Sequence, residues 1–149
     1  MERTLVLIKP DGVKRRLVGR IFQRFEEKGL RIAALKLMNV SRPMAEEHYS
    51  VHRDKPFFRS LVDYITSGGP VVAAVLEGSN AIAVVRKMCG ATDGSKAEPG
   101  TIRGDFSMGI EKNIIHASDS HEAYEHEYRI FFRDEEILNY ECGDEHIIY

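Results

Sequence analysis

The sequence is poor in the features that mark secreted, membrane and nucleic-acid-binding proteins. It has only two cysteines, Cys89 and Cys142, which give neither a disulfide framework nor a metal-binding spacing, so we interpret both as reduced thiols. No apolar run is long enough to cross a bilayer, and we expect no signal peptide. The net charge of −2 gives no indication of a basic surface for nucleic acid. These shortages favour a cytoplasmic protein whose main partner is neither a membrane nor a nucleic acid.

The length and composition fit one soluble domain. A chain of 149 residues is long enough to bury a substantial core. Its 43% of hydrophobic and 30% of charged residues are ordinary for a globular protein. We therefore predict a single domain over residues 1–149. The tail, residues 140–149, is polar but ends in Ile147-Ile148-Tyr149, and we expect it to dock at a subunit contact.

Hydrophobic spacing predicts four strand regions separated by helices. The strands are predicted over residues 4–8, 30–40, 71–76 and 106–115, and the helices over 17–28, 81–89 and 121–132, with a short helical turn over 134–139. Two more helices start at Ser41 and Pro56, and we expect this pair to form a hairpin that packs against the edge of the sheet. The run 71–76 is the most apolar and should be the central strand, residues 9–12 should form a turn, and 91–104 a long ordered loop. This order predicts an α+β sandwich of the ferredoxin-like, split βαβ class, with a four-stranded antiparallel sheet covered by helices.

One stretch, Asn113-Ile114-Ile115-His116-Ala117-Ser118-Asp119-Ser120, has the composition of a reactive site. His116 follows two β-branched residues, which predicts that it lies at the end of an extended run. Ser118, Asp119 and Ser120 are three candidate caps for the next helix, and Glu122 would complete a capping box with Asp119. A helix N-terminus attracts anions, and a neutral imidazole is nucleophilic near pH 7. The stretch therefore makes His116 a candidate for covalent phosphoryl relay, while a surface or structural histidine would fit the same spacing.

The same stretch resembles the active-site signature of nucleoside diphosphate kinases. Three further blocks resemble that family in its order and at nearly its spacing: Lys9-Pro10-Asp11-Gly12-Val13, Lys55-Pro56-Phe57-Phe58, and Pro99-Gly100-Thr101-Ile102-Arg103-Gly104-Asp105-Phe106. The resemblance spans residues 4 to about 139. It implies transfer of the γ-phosphoryl group of a nucleoside triphosphate such as ATP to a nucleoside diphosphate, by a ping-pong mechanism through a phosphohistidine. It implies the ferredoxin-like fold as well.

The resemblance also assigns roles to individual residues. His116 matches the nucleophile that becomes the pros-phosphohistidine, and the residues that match its catalytic helpers are Glu127, Ser118, Lys9 and Tyr49. The residues that match the family's nucleotide contacts are Lys9, Phe57, Leu61, Arg86, Thr92, Arg103, Ile110 and Asn113. Spacing alone leaves other interpretations open: Phe57 and Leu61 would be core residues, and Ser118 a helix cap. By position, Glu122 or Glu125 could orient the imidazole as well as Glu127.

The cofactor and assembly implied by the resemblance are simple. Mg²⁺ should arrive on the nucleotide phosphates, and we expect no metal site built by the protein, because His116, His121 and His126 are five residues apart and share no helix face. The family forms homo-oligomers, and we expect a hexamer in preference to a tetramer.

The chain departs from the family pattern at several positions near the expected site. Ala117 and Glu111 replace glycines, Val51 replaces an acidic residue, one glycine is added at residues 67–70, and Asp93-Gly94 replaces Asn-Pro. None removes a group that the transfer needs. Three other functions stay open on the residues: a nucleotide-binding protein without catalysis, a single-strand nucleic-acid binder, and a histidine phosphotransfer module with another acceptor.

Overall fold

The computed structural model describes all 149 residues and places helices on both faces of one sheet. The strands are β1 (Glu2–Ile8), β2 (Arg31–Met38), β3 (Val71–Gly78) and β4 (Ile115–Ala117). The helices are α1 (Pro10–Lys14), α2 (Val18–Lys28), α3 (Arg42–His48), α4 (Phe58–Ser67), α5 (Ala81–Cys89), α6 (Ile102–Phe106), α7 (His121–Phe131) and α8 (Glu145–Ile148), with 3₁₀ turns at Ser50–His52 and Asp134–Glu136. The predicted ferredoxin-like α+β fold is confirmed. None of these helices has the length and apolar content needed to cross a bilayer.

All strands pair antiparallel in the order β2-β3-β1-β4. The run 71–76 lies in β3, between β2 and β1, so the prediction of a central strand is confirmed. In β1, Leu5 and Leu7 face one side while Val6 and Ile8 face the other, since side chains alternate along a strand. Both pairs are fully buried, because helices cover both faces of the sheet.

Two apolar layers result from this alternation. Val6, Ile8 and Leu76 pack against α2 and α5 on one face through Phe25 and Val85. Leu5, Leu7 and Val75 pack on the other face against α3, α4 and α7, through residues that include Ala45, Val62 and Phe131. The pair α3–α4 was expected to pack at the edge of the sheet. It covers this face instead, and so it reaches the strand that carries His116.

Two local predictions of secondary structure were wrong. Residues 9–12 do not form a simple turn, because α1 starts there with Pro10 in its first turn, a position that needs no backbone N–H. The strand region 106–115 is not a strand: its first residue ends α6, and β4 starts only at Ile115. The Ser107 hydroxyl donates to the carbonyls of Gly109 and Lys112, at 3.2 Å each, and holds the segment as a loop.

Only one of the three candidate residues caps α7. Ser120 is the cap, and its hydroxyl accepts a hydrogen bond from the backbone N–H of Ala123 at 3.0 Å. The predicted capping box of Asp119 and Glu122 does not form. Ser118 lies two residues before the cap, directly after β4, and is fully buried.

The tail folds back on its own chain. Ile148 packs on Gly29, which ends α2 in a left-handed conformation, and a side chain at that position would collide with Ile148. The Tyr149 hydroxyl accepts from the Ser79 N–H at 3.2 Å. Docking at a neighbouring subunit stays a prediction.

Candidate active site

A cleft of about 830 Å³ opens between α3, α4, the start of α7 and the segment 92–117. Eleven of the twelve predicted site residues line it, and the twelfth, Ser118, lies directly behind. The cleft has a histidine end around His116, a cationic side around Arg103, and an apolar mouth around Phe57.

His116 is placed by strand register. It pairs with Leu7 of β1, and residues directly opposite in an antiparallel pair point to the same face. That face is the one covered by α3 and α7, so the imidazole projects between these two helices. Its side chain is 24% exposed, which leaves it open to the cleft.

Glu127 of α7 fixes the orientation of that imidazole. The Nε2 atom of His116 lies 3.0 Å from Oε2 of Glu127, so Nε2 carries the hydrogen and donates it to the carboxylate. Nδ1 is then the nitrogen with a free lone pair. Burial would raise the pKa of Glu127, but the charge and hydrogen bond of His116 outweigh burial and lower that pKa to about 2. The carboxylate is therefore ionised at any working pH.

Ser118 acts on Glu127 from behind. Its hydroxyl donates to Oε1 of Glu127 at 2.6 Å, and it accepts from the Leu5 backbone N–H at 3.3 Å. Ser118 is fully buried and does not line the cleft, so it is out of reach of a transferred group. Ser118 therefore lies behind the carboxylate, and Ser120 in its place caps the helix.

His48 is a member of the site that the sequence analysis did not select. It is buried at the end of α3, and its ring stands edge-on to the ring of His116 with centroids 4.6 Å apart. Burial and the nearby His116 lower the pKa of His48 to about 3, so its ring is neutral. Neither of its nitrogens has a hydrogen-bond partner. The one available signal was its spacing from the buried Ala45, which puts both residues on one side of α3.

Tyr49 follows His48 and lines the same part of the cleft. Its ring packs edge-on against His48 with centroids 4.7 Å apart. Burial and the charge of Glu127 raise the pKa of the Tyr49 hydroxyl, which is therefore a neutral donor.

The cationic side contains Lys9, Asn113 and Thr92 in one chain of hydrogen bonds. Lys9 Nζ donates to Asn113 Oδ1 at 2.8 Å, and Asn113 Nδ2 donates to the Thr92 carbonyl at 2.9 Å. Burial, with the repulsion of Arg103, lowers the pKa of Lys9 to about 8. An anion that enters the cleft would stabilise the charged form of Lys9.

The two arginines of the cleft are held by backbone carbonyls. Arg103 is buried, and its guanidinium donates to the carbonyls of Ile115 at 2.6 Å, Gly90 at 2.8 Å and Asn113 at 3.3 Å. Burial lowers the pKa of Arg103, and no carboxylate pairs with it. Arg86 is exposed and donates to the Ala117 carbonyl at 3.3 Å. The two cations thus face the cleft without a protein counter-ion.

The mouth of the cleft is apolar. Phe57 is 45% exposed and Ile110 is 60% exposed, although both are large hydrophobic residues. Leu61 lies one helical turn beyond Phe57 and lines the same wall. The Ser60 hydroxyl donates to the Glu111 carboxylate and so links the two walls of the mouth. Solvent-exposed apolar side chains in a cleft favour the binding of a ligand with a flat, apolar part.

A strained residue directly precedes β4, the strand that carries His116. Ile114 has φ of 76°, which a β-branched residue rarely adopts. Its N–H donates to Asp11 Oδ2 at 3.0 Å and its carbonyl accepts from the Lys9 N–H at 2.8 Å. The Tyr64 hydroxyl in turn donates to Asp11 at 2.8 Å. These bonds fix the direction in which the chain enters β4. Asp11 and Tyr64 were not selected from the sequence.

The sequence model of the family described as nucleoside diphosphate kinase matches residues 2–137. The nucleoside diphosphate kinase of Thermoplasma volcanium is 68% identical over 149 residues, which is the full length of both chains. Among solved structures, the Halobacterium salinarum nucleoside diphosphate kinase in complex with CDP superposes with a TM-score of 0.96 at 47% identity, covering 99% of this chain and 98% of that one. The Borrelia burgdorferi enzyme, in a transition-state mimic with vanadate and ADP, gives a TM-score of 0.91 at 40% identity over 97% and 94% of the two chains.

These likenesses cover the whole sheet and every wall of the cleft, and the matched region includes His116, Glu127 and the cations around them. The chain belongs to the nucleoside diphosphate kinase family.

Proposed function

We propose that Nδ1 of His116 is the atom that receives the phosphoryl group. Family membership gives the reaction: the γ-phosphoryl group passes from a nucleoside triphosphate to a nucleoside diphosphate through a phosphohistidine on His116. The observation that carries the assignment is the 3.0 Å contact of Nε2 with Glu127, because it leaves Nδ1 with the lone pair.

The transfer runs in two half-reactions. In the first, the Nδ1 lone pair forms a bond to the γ-phosphorus while the bond from that phosphorus to the β–γ bridging oxygen breaks, and the diphosphate leaves with both electrons. The ring gains positive charge, which the Glu127 carboxylate stabilises through the Nε2–H. In the second, a terminal oxygen of another diphosphate attacks the phosphohistidine and the N–P electrons return to Nδ1. One site serves both nucleotides in turn, which is ping-pong catalysis.

The cationic side would hold the phosphates. Phosphoryl transfer depends mainly on positioning and on neutralising the charge of the phosphate oxygens. Lys9, Arg86 and Arg103 supply positive charge without a carboxylate partner, and Thr92 is exposed at the same wall. The neutral Tyr49 hydroxyl and the Asn113 amide would donate to the phosphate and ribose oxygens. The Borrelia burgdorferi relative, a transition-state mimic with bound vanadate and ADP, supports phosphoryl transfer as the reaction.

The apolar mouth would hold the base. Phe57 would stack on one face of the ring, with Leu61 beside it and Ile110 opposite. Stacking recognises a π-face and no particular pattern of hydrogen bonds, so it tolerates every base. CDP in the Halobacterium salinarum relative and ADP in the Borrelia burgdorferi relative support this tolerance.

Mg²⁺ would enter as part of the nucleotide substrate. The carboxylates that line the cleft, such as Glu111, Asp119 and Glu122, are exposed and form no cluster of three ligands. This arrangement suits an ion that keeps its water and its phosphate ligands.

We also propose a homo-oligomer, a hexamer in preference to a tetramer, in the cytoplasm. Leu35 and Leu37 are 54% and 66% exposed on β2, which is an edge strand, and exposed apolar residues at an open edge favour burial against another copy. The tail would contribute to the same contacts. The free thiols of Cys89 and Cys142 fit a reducing compartment.

The direct test is to mix the protein with γ-labelled ATP and Mg²⁺ without an acceptor. We expect acid-labile label on His116 that leaves as labelled triphosphate when GDP or CDP is added. His116→Ala should take no label, while His146→Ala, which changes an exposed histidine of the tail, should label like the unmodified protein. Label on a different residue, or transfer by His116→Ala, would refute the assignment.

A further inference from the structure

Three side chains at the floor of the cleft form a cluster of potential metal ligands, although the phosphoryl transfer needs no metal bound there. His48 comes from α3, His116 from β4 and Glu127 from α7, and one nitrogen or oxygen atom of each lies within 4.8 Å of the others. The search of the sequence for metal spacing could not find this set, because its members are far apart in the chain and lie on three different elements.

His48 is the unusual member of the cluster. Both of its ring nitrogens are buried and neither has a hydrogen-bond partner. Its Nδ1 lies 3.9 Å from Oε2 of Glu127, too far for a hydrogen bond but close enough to share a ligand with it. A buried polar group without a partner costs free energy, and a bound cation would remove that cost.

We propose that His48, His116 and Glu127 form an inhibitory site for a metal ion that binds both nitrogen and oxygen ligands, such as Zn²⁺. Two imidazoles and one carboxylate are a ligand set of zinc sites that keep their fourth position open. In a tetrahedral site with bonds of about 2.0–2.1 Å the ligand atoms lie about 3.4 Å apart, so the widest pair must close by roughly 1.4 Å from 4.8 Å. Mg²⁺ prefers oxygen ligands and water, so the ion of the nucleotide does not compete for these nitrogens.

Zinc bound at this site would prevent His116 from acting as a nucleophile, because it changes which ring nitrogen carries the hydrogen. Zn²⁺ takes the lone pair of Nε2, which requires that the hydrogen on that atom moves to Nδ1. The number of protons on the ring is unchanged. Nδ1 then has no lone pair for phosphorus, and Glu127 is held by the metal. The inhibition rests on the proposed role of His116, whereas the binding of zinc does not, so the two can fail separately.

The binding test uses zinc alone, with protein freed of metal by a chelator and titrated calorimetrically in a buffer that does not coordinate metals. We expect one Zn²⁺ per chain for the unmodified protein and for the control His146→Phe. In His48→Phe, which keeps a ring in the same space, we expect affinity to fall at least tenfold. No uptake, or equal affinity in His48→Phe and His146→Phe, overturns the site.

A second measurement does not depend on the folding of a variant. X-ray absorption of the zinc-loaded unmodified protein should show two imidazole ligands at about 2.0 Å. A spectrum with one imidazole or none overturns the proposed ligand set.

The inhibition is tested by a single turnover. Zinc-loaded protein, desalted to remove free zinc, is mixed with γ-labelled ATP and Mg²⁺, and the unlabelled fraction should equal the fraction that carries zinc. A chelator should restore labelling, and His48→Phe should label to the same extent with and without zinc treatment. Full labelling of protein that retains its zinc would overturn the inhibitory role while leaving the metal site in place.

Discussion

Replacing Glu127 by glutamine tests how much the charge behind His116 contributes to transfer. Glutamine has nearly the same shape, and its oxygen can still accept the hydrogen of His116 Nε2, as the carboxylate does now at 3.0 Å. Its amide group can donate to the Ser118 hydroxyl, which now donates to Glu127 at 2.6 Å. The substitution therefore removes the negative charge and keeps the hydrogen-bonded frame.

The size of the effect follows from the charge that develops on the ring. When Nδ1 bonds to phosphorus the imidazole becomes positive, and its bond to Glu127 becomes charge-assisted. A hydrogen bond to a charged group contributes about 1.5–3 kcal/mol, against about 0.5–1.5 kcal/mol for a neutral one. The difference of about 1–1.5 kcal/mol corresponds to a roughly 5- to 13-fold slower formation of phosphohistidine.

The assay is a rapid-quench single turnover with γ-labelled ATP, which suits a chain that contains no tryptophan to serve as a fluorescent reporter. Glu125→Gln is the matched control, because Glu125 lies on the same helix and its contacts, with Arg129 and His121, are both to exposed side chains. We expect Glu127→Gln to slow labelling without weakening ADP binding. Equal rates in the two variants, or a loss confined to ADP affinity, would refute the argument that the carboxylate stabilises the charged ring.

Three further predictions concern the rest of the cleft. Phe57→Ala should weaken the binding of ADP, GDP and CDP by similar factors, roughly 5- to 160-fold, because stacking contributes about 1–3 kcal/mol per base; a competition titration that shows loss for one base only would contradict this. Arg103→Ala should lower both turnover and melting temperature more than Lys87→Ala, since it removes three hydrogen bonds from the guanidinium to backbone carbonyls. Equal turnover in the two variants would contradict the phosphate role. Folding lowers the pKa of His48 to about 3, whereas a histidine in the unfolded chain has a pKa of about 6.5. Between these two pH values only the unfolded chain is protonated at His48, so the free energy of unfolding should decrease by about 1.4 kcal/mol for each unit that the pH falls. Denaturant titrations should show a pH slope smaller by that amount in His48→Phe, and an unchanged slope would contradict the prediction.

The sequence predicted the nucleophile because its signal is local. His116, its β-branched neighbours and the helix that follows are contiguous, so a short motif describes the whole unit. The same holds for the apolar run 71–76, whose central position follows from composition alone. His48 could not be found in this way, since its burial depends on α3 packing beside β4, and no spacing within α3 records that contact.

The segment 106–115 shows where local patterns fail. Its apolar residues are typical of a strand, but Ser107 bonds to carbonyls within the loop and Asn113 to the carbonyl of Thr92. Such side chains offer the backbone hydrogen-bond partners other than those of a neighbouring strand, and the segment forms a loop in spite of its strand propensity. Pro10 is a different case, because proline is common both in β-turns and in the first turn of a helix, so the residue alone does not distinguish the two.

The position of β1 has a consequence for the way the chain is made. The first strand to leave the ribosome lies between β3 and β4, although β3 follows some 64 residues later, from Ile8 to Val72. At about 5–20 residues per second, the hydrogen-bonding edges of this strand wait roughly 3–13 s for their first partner strand. The fourth strand, which carries His116, arrives later still and pairs with Leu7. Catalytic competence is therefore gained only when nearly the whole chain has been synthesised, and an interrupted translation product has an unpaired apolar strand in place of an enzyme.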